Sequence, residues 1–292
     1  MLGDMSTTQP MQSRARASAD GAAGGRVMAD KARRRRARER TRVRLLRVGL
    51  ILLIVGGMYL LNVTFGNLTM PSPVDVFDES WKMWADGTML RGLSETLTVL
   101  GLGFLLSAVT GVGGGILLGG FSTVGRVLDP FVNAMNSTPG AAFIPLFIVW
   151  FGLYTEAKVV VVWNAAMFPI LITTAAGIDQ SDSELTEMGR SFGASRANLF
   201  WQLMVPGALP SILSGLRIGA AVATVGTVVA ELYMAQSGLG GLLAAAGNRF
   251  QMDRYFAVVI VLMALGTIIT GLLRLAERRL WKWRTTLHDA SR

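Results

Sequence analysis

The side chains able to carry out chemistry are few and scattered in this chain of 292 residues. It has no cysteine, which excludes disulfides, thiolate nucleophiles and cysteine metal sites. Its single histidine, His288, lies four residues before Arg292, so we expect neither a histidine metal site nor a catalytic triad. A membrane-bound enzyme would need clustered histidine, cysteine or acidic residues, and the apolar segments contain no such cluster. The sequence therefore predicts that the chain is not an enzyme and holds no metal.

A phosphate-binding loop is not predicted either. Such a loop follows the pattern G-x-x-x-x-G-K-[ST], in which backbone N–H groups and the lysine hold the phosphates. The nearest stretch, Gly115–Gly120, continues into Phe121 and has no lysine. The chain is therefore expected to bind no cofactor and to hydrolyse no ATP itself.

Glycines recur instead at the spacing of one helix face. Small residues at every fourth position let transmembrane helices approach each other closely. A second stripe of small residues, with the same spacing, ends at Glu231. The glycines assigned to helix packing are Gly111, Gly115 and Gly119 in the first stripe, and Gly215 and Gly219 in the second.

Polar residues beside interruptions of apolar sequence are the candidates for a solute path. Pro139 and Pro145 each remove a backbone donor from one apolar segment, and the freed carbonyls must be covered by protein or line a wet cavity. This pattern predicts either a polar path or a kink that only shapes packing. Glu231 is either solvated at the membrane interface or part of the path, because an acid at mid-membrane costs about 2.5–3.5 kcal/mol. The candidate path residues are Asn133, Asn136, Ser137, Thr138, Glu95, Asn164 and Glu231.

Composition places these residues in a membrane. Hydrophobic residues make up 51% of the chain, the mean hydropathy is +0.46, and charged residues make up only 16%. Soluble domains have about 25% charged residues, and no single soluble core uses this much apolar sequence. A helix needs about 20 residues to cross a hydrocarbon core about 30 Å thick. Six apolar segments are predicted to be such helices: 48–61 (extended by 43–47), 93–118, 128–150, 157–176, 212–233 and 256–275.

Basic residues indicate the orientation of these segments. Thirteen of the 28 lysines and arginines fall between Arg14 and Arg47, and six lie from Arg274 to Arg292. With six spans and the N-terminus inside, 23 basic residues lie on the cytoplasmic side and five outside, in agreement with the positive-inside rule. We therefore expect a multi-pass protein of the plasma or inner membrane with both ends in the cytoplasm. The basic tail fits this topology and contact with membrane lipid better than nucleic-acid binding.

The stretch 177–208 is the least membrane-like part of the chain between the fourth and fifth spans. A first short helix is predicted to end at Gly193, and a second, 194–204, to end before Pro206 and Pro210. Two short amphipathic helices at a membrane surface form either an ordinary surface loop or a docking element. Periodicity alone favours the ordinary surface loop.

The spacing in this loop resembles the cytoplasmic-loop signature of type I ABC importer permeases. That signature is an E-A-A triplet, a glycine four residues later, and after nine further residues a hydrophobic-x-hydrophobic-Pro ending. Glu187, Gly193 and Pro206 fall at those intervals, and Met188 and Gly189 replace the two alanines. Two further stretches, 138–153 and 209–243, resemble the third span, and the fifth span with its following loop, of the nitrate/sulfonate/taurine class. The resemblance extends over about 180 residues.

This resemblance implies an all-α integral membrane fold of six transmembrane helices, with a short cytoplasmic coupling-helix pair between helices 4 and 5. It also implies three protein partners, namely a cytoplasmic ABC ATPase dimer that uses ATP and Mg, an extracytoplasmic solute-binding protein, and a second permease copy in a homodimer. The implied solute is small and polar or anionic, like a sulfonate, taurine or nitrate. The residues implied at the ATPase contact are Glu187, Arg190, Ser191, Phe192, Gly193, Ala194, Ser195 and Pro206.

The expected organisation is a disordered basic cytoplasmic tail, a first span, an extracytoplasmic segment, a permease core and a basic cytoplasmic tail. These parts cover 1–42, 43–62, 63–90, 91–276 and 277–292, with the coupling loop at 177–208.

The outer segments 62–90 and 236–254 are expected to receive the solute-binding protein. Trp81 and Trp84 belong either to an aromatic belt or to a simple amphipathic helix at the interface. The alternative function is a secondary active transporter driven by an ion gradient. Such a transporter normally shows two related halves and more intramembrane charge, and no convincing internal repeat is present.

Overall fold

The computed structural model describes residue 39 and residues 42–66, 69–180, 187–189, 191–234 and 237–289, without the side chains of residues 196, 276 and 278–289. All regular structure in these ranges is helical. The predicted tail 1–42 falls almost wholly outside the described residues.

Helix α1, Arg42–Phe65, forms a unit separate from the rest of the chain and includes the predicted first span. Its most apolar window of 18 residues has a mean hydropathy of 2.1, and its apolar side chains are exposed around the whole helix. A helix that is apolar on every side is typical of a segment surrounded by lipid.

The second unit begins with a short helix that leads into a long one. Ser72 caps α2, Pro73–Ala85, by accepting a hydrogen bond of 3.1 Å from the backbone N–H of Asp75. Asp86 follows α2, and its carboxylate accepts a 2.8 Å bond from the N–H of Thr88, where α3, Thr88–Gly120, begins. This bond lowers the pKa of Asp86 below its ordinary value, because the N–H group stabilises the charged form.

The centre of the fold is α3 packed against α6, Thr155–Asp179, and α6 packed against α7, Val205–Met234. Glycine permits this close approach: a Cβ added at Gly115 would lie 2.5 Å from Thr174 Cβ and 2.7 Å from the carbonyl of Leu171. The other stripe glycines lie in the same kind of contact, with added Cβ atoms meeting α6 at 3.4 Å or closer: Gly111, Gly119, Gly215 and Gly219. Hence both glycine stripes lie at helix interfaces.

The third predicted span is a broken helix. Helix α4, Ser122–Ser137, is followed by a 3-10 turn, Gly140–Phe143, and by α5, Ile144–Phe151, with a bend of 87°. The break lies at Thr138, which is extended as expected before a proline. The expected second interruption, at Pro145, is absent because Pro145 lies in the first turn of α5, where a helix has no partner for its N–H group. Pro130 lies inside α4 without ending it.

The chain ends with two further helices, α8, Gly238–Asn248, and α9, Met252–Asp289. Helix α9 begins before the predicted sixth span and continues into the region predicted as the tail 277–292. Arg217 of α7 and Glu277 of α9 form an ion pair at 3.0 Å that joins these helices. Among the described residues, five helices are individually long and apolar enough to cross a membrane, and six if the bent pair is counted as one span.

Candidate functional site

The loop 177–208 contains a short helical turn that ends at a glycine. Glu187–Gly189 is helical, and the Ser191 hydroxyl donates a 3.0 Å bond to the Glu187 carbonyl. Gly193 has a φ of +79°, and the next N–H, of Ala194, donates to the carbonyl of Gly189 at 3.0 Å. A left-handed glycine with this bond pattern is a common end of a helix. Residues 181–186 and Arg190 lie outside the described residues.

The second predicted short helix of this loop is not a separate element. Ser195 caps it, since its hydroxyl accepts a 3.2 Å bond from the N–H of Asn198. The helix then runs from Arg196 through a π-turn, Phe200–Met204, directly into α7. The prediction that it ends before Pro206 and Pro210 was therefore wrong. Both prolines lie in the helix, and Pro206 is the second residue after the π-turn, where the regular backbone ladder is already interrupted.

The two halves of the loop contact each other through Gly189. A Cβ at this position would lie 2.5 Å from the Cδ2 atom of Leu199, which is buried. Phe192, at the tip of the loop, is 86% exposed, and Met188 is exposed beside it. The loop thus has a packed inner side and an exposed apolar tip.

The residues predicted for a solute path do not form one group. Those of the broken span are exposed on α4 and directly after it: Asn133, Asn136, Ser137 and Thr138. Asn164 is buried in α6, whereas Glu95 and Glu231 lie together in a different cluster. A cavity beside the break, of about 420 Å³, is lined by apolar residues, among them Gly140, Ala165 and Gly226.

A buried polar cluster surrounds Glu231 near the end of α7. Its side chain is 0% exposed, and it accepts a bond of 2.8 Å from the N–H of Gly240. The Thr96 hydroxyl donates its single hydrogen to the same carboxylate, with Oγ1 lying 2.9 and 3.0 Å from the two carboxylate oxygens. The interpretation of Glu231 as a solvated interfacial acid was therefore wrong. Its carboxylate is satisfied by protein groups, as an acid inside a membrane protein must be.

This cluster caps the N-terminus of α8. The first three N–H groups of α8 bond to side chains of other helices: Gly238 to Glu95 at 2.7 Å, Leu239 to Thr96 at 2.8 Å, and Gly240 to Glu231. The first N–H groups of a helix lack internal partners and carry partial positive charge, so acids stabilise them. The cluster therefore joins α8 to α3 and α7.

Lys158 adds a positive charge to the cluster from α6. Its side chain is only 1% exposed, and its Nζ atom donates a hydrogen bond to Ser237, the residue before α8. Ser237 precedes Gly238, and the Gly238 position lies against the Glu231 carboxylate, so the cation lies close to this acid. Glycine is required at the contact, since a Cβ at Gly238 would overlap the Glu231 carboxylate, and Gly238 has a φ of +80°.

Sequence reasoning missed the partners in this cluster. It counted Lys158 only as one of the five basic residues on the outer side, and it gave no role to Thr96 or Ser237. One available signal was Lys158 itself, a cation at the edge of an apolar segment, and another was the glycine-rich stretch 238–241 shortly after a membrane acid. Neither signal identifies its partner, because Thr96 and Glu231 are 135 residues apart.

Residues 111–282 match the family of binding-protein-dependent transport system inner membrane components. The chain belongs to this family. The permease is 32% identical to the putative aliphatic sulfonates transport permease protein SsuC of Bacillus subtilis over 233 residues, covering 80% of this chain and 83% of that one. It is also 32% identical to the taurine transport system permease protein TauC of Escherichia coli, with 74% and 80% covered. The formylaminopyrimidine transport permease protein ThiX of Halalkalibacterium halodurans is 30% identical, with 74% and 86% covered.

Solved structures support the fold of the permease. An inward-facing crystal structure of the MetNI methionine ABC transporter matches with a TM-score of 0.58 and 20% identity, covering 65% of this chain and 94% of that one. This match supports the all-α fold. The family and the curated relatives show that the permease is a multi-pass transport subunit of an ABC importer and not an enzyme. The family assignment also implies a separate ATPase and a solute-binding protein as partners, and it favours this function over a secondary transporter.

Proposed function

We propose that the permease conducts a small polar or anionic solute, of the sulfonate, taurine or nitrate kind, into the cell. The observation that carries this proposal is its 32% identity, over about three quarters of the chain or more, to permeases named for aliphatic sulfonates and for taurine. A relative of similar identity is named for formylaminopyrimidine. The solute class therefore needs a direct test.

The proposed topology has six spans, with both ends in the cytoplasm. It counts the bent pair α4 and α5 as one span and places the loop 177–208 inside the cell. The distribution of basic residues supports this orientation, because 23 of 28 then lie on the cytoplasmic side.

The loop around Gly193 is proposed to contact the partner ATPase, which is the subunit that binds ATP and Mg. The exposed side chain of Phe192 supports this proposal, because a large aromatic residue on a rigid turn is a typical interface anchor. Glu187 is exposed on the first turn, and Ser191, Ala194 and Ser195 surround the glycine bend. Pro206 is proposed to act indirectly, at the junction between the loop and α7.

A second copy of the permease is proposed to complete the path. Asn133 and Asn136 are exposed on α4, and apolar residues such as Val149 and Val225 are exposed on α5 and α7. Pairing of two copies through these exposed faces of α4, α5 and α7 would cover the apolar residues. It would also place the exposed asparagines of both copies along one channel. Asn164 is a further candidate there.

The solute-binding protein is proposed to dock on the outer segments 62–90 and 236–254. Phe250, in the turn between α8 and α9, supports this assignment. Its side chain is 68% exposed and its backbone has a φ of +56°, a conformation uncommon for a residue other than glycine. The turn therefore holds an aromatic side chain outward at some cost in backbone energy.

Affinity purification of the tagged permease from its native membranes tests the ATPase contact. We expect an ATPase subunit in about equal amount, identified by mass spectrometry. Phe192→Ala and Glu187→Arg should each reduce its recovery. Phe250→Ala is the matched control, since it removes an exposed aromatic residue at the opposite side of the proposed membrane. Loss of the ATPase with the control as well, or equal recovery with all variants, would contradict the proposed contact.

Uptake in proteoliposomes tests the solute. The complex with its ATPase and binding protein should take up radiolabelled taurine, an alkanesulfonate or nitrate when ATP is supplied, and not when only an ion gradient is imposed. Uptake driven by the gradient alone would refute the proposed mechanism, and ATP-driven uptake of a cationic solute only would refute the proposed class.

A further inference from the structure

Helix α2 has an exposed face made of large apolar side chains. Phe77 is 69% exposed and Trp81 is 70% exposed, and Val74 and Trp84 are exposed beside them. At about 100° of turn per residue, these four side chains fall within an arc of about 80° on the helix surface. Aromatic and aliphatic residues thus form one continuous stripe along the helix.

The opposite side of α2 holds the helix in place. Val76 and Met83 are buried, and α2 packs against α3 and α9. Glu79 pairs with Arg254 of α9 at 3.6 Å. Because this side is fixed to the core, the helix cannot bury its apolar stripe by turning about its own axis.

A polar edge borders the apolar stripe. Asp78 and Lys82 are exposed and lie next to the stripe on the helix surface. A helix with one apolar sector and one charged sector, rich in tryptophan and phenylalanine, is typical of a helix lying in the plane of a membrane interface.

The position of α2 in the chain selects a lipid surface as the occupant of the stripe. Helix α2 ends at Ala85, three residues before Thr88, where the membrane-crossing helix α3 begins. The first turns of α3 also expose apolar side chains, Leu90 and Leu97. The stripe therefore lies beside the first turns of a membrane-crossing helix, where headgroups are expected and where tryptophan is enriched.

We infer that the stripe Val74, Phe77, Trp81 and Trp84 is embedded in the headgroup and upper acyl region of the bilayer. Only the polar edge of α2 then faces water and remains available to a solute-binding protein. A reversible protein partner fits the stripe less well, since the permease also exists without that partner and would then leave large aromatic side chains in water.

Site-directed spin labelling tests this inference cleanly, because the chain has no native cysteine. The full-length variants Phe77→Cys, Trp81→Cys, Asp78→Cys and Lys82→Cys are labelled singly and reconstituted into phosphatidylethanolamine–phosphatidylglycerol vesicles. Collision of each label with molecular oxygen, which partitions into lipid, is compared with collision with a neutral nickel chelate, which stays in water. Leu105→Cys, exposed on α3, gives the lipid reference, and Asp86→Cys, exposed in the turn, gives the aqueous one.

We expect the ratio of oxygen to nickel collisions to be several-fold higher at positions 77 and 81 than at 78 and 82. High nickel access at 77 and 81 would overturn the inference, since it places the stripe in water. Low access to both reagents would also overturn it, since it places the stripe against protein, such as a second copy. Only variants that elute as the parent chain does are used, and Val74→Cys replaces either stripe variant that does not. The measurement needs no ATPase, binding protein or solute. Its result can therefore be interpreted even if the proposed transport function is wrong.

Discussion

Removing the carboxylate of Glu231 should destabilise the permease more than removing an acid elsewhere. Glu231→Ala deletes the acceptor for two buried donors, the Gly240 N–H at 2.8 Å and the Thr96 hydroxyl at 2.9 and 3.0 Å. Hydrogen bonds to a charged group contribute about 1.5–3 kcal/mol each. Hydrogen bonds between membrane helices average only about 0.6 kcal/mol when they are measured by double-mutant cycles.

The charge of Lys158 raises the expected effect. Deleting Glu231 leaves this buried cation without the nearby acid, although its hydrogen bond to Ser237 remains. Taking the two lost hydrogen bonds within these bounds, together with this weaker attraction, we expect the free energy of unfolding to fall by about 2–5 kcal/mol. At about 2–4 °C per kcal/mol, the apparent Tm should fall by roughly 4–20 °C.

The assay is thermal unfolding of the full chain in one mild detergent at a fixed scan rate, because unfolding of a membrane protein is rarely reversible. Glu231→Gln keeps the volume and one acceptor oxygen, so its effect should be smaller than that of Glu231→Ala. The control is Glu156→Ala, which removes an exposed acid from α6.

A second substitution isolates the contribution of the unpaired cation. If the charge of Lys158 is part of the cost, Lys158→Met in the Glu231→Ala background should restore part of the lost stability. An apparent Tm of Glu231→Ala equal to that of Glu156→Ala would refute the reasoning. The absence of any recovery in the double variant would refute the role assigned to Lys158.

Three further results are expected. Gly115→Val should lower the apparent Tm by the equivalent of about 1–3 kcal/mol, because the new side chain meets Thr174, whereas Gly113→Val, with nothing within 4 Å, should have little effect in the same melt. Asn136→Ala should reduce uptake in proteoliposomes without reducing the amount of inserted protein, and unchanged uptake would remove Asn136 from the path. An added Cβ at position 92 lies 2.8 Å from Leu242 Cδ1, so a disulfide between Gly92→Cys and Leu242→Cys would join α3 to α8. If these helices move together, oxidation of the pair should leave uptake intact. Uptake lost on oxidation and restored by reduction would show that the helices separate.

Local sequence information predicted the parts of the fold that depend on local forces. The apolar segments became helices because the length and composition of each segment suffice to specify a membrane helix. The bend beside Pro139 was predictable because proline restricts the residue before it. Gly193 was predicted to end a helix, and its left-handed conformation has that effect in the structure.

The features that sequence reasoning missed depend on contacts between distant parts of the chain. Pro206 signals a helix end locally, but the π-turn before it and the packing around Leu199 let the helix continue. The roles of Glu231 and Lys158 depend on which helices lie beside them. A membrane acid has the same local sequence whether it lines a channel or caps another helix, so only the fold distinguishes these roles.

The continuity of α7 affects how movement of the loop would reach the rest of the permease. A separate coupling helix would need a flexible connection to the fifth span, which would absorb part of any displacement. The observed helix runs from Arg196 to Met234 and contains both the loop residues after Ser195 and Glu231. Its only non-α segment is the π-turn Phe200–Met204, which is therefore the place where the helix can bend. If the ATPase moves the loop as proposed, the part of the displacement that passes the π-turn is carried along α7 to Glu231. The hydrogen bonds of Glu231 then transmit it to α8, at the far end of α7.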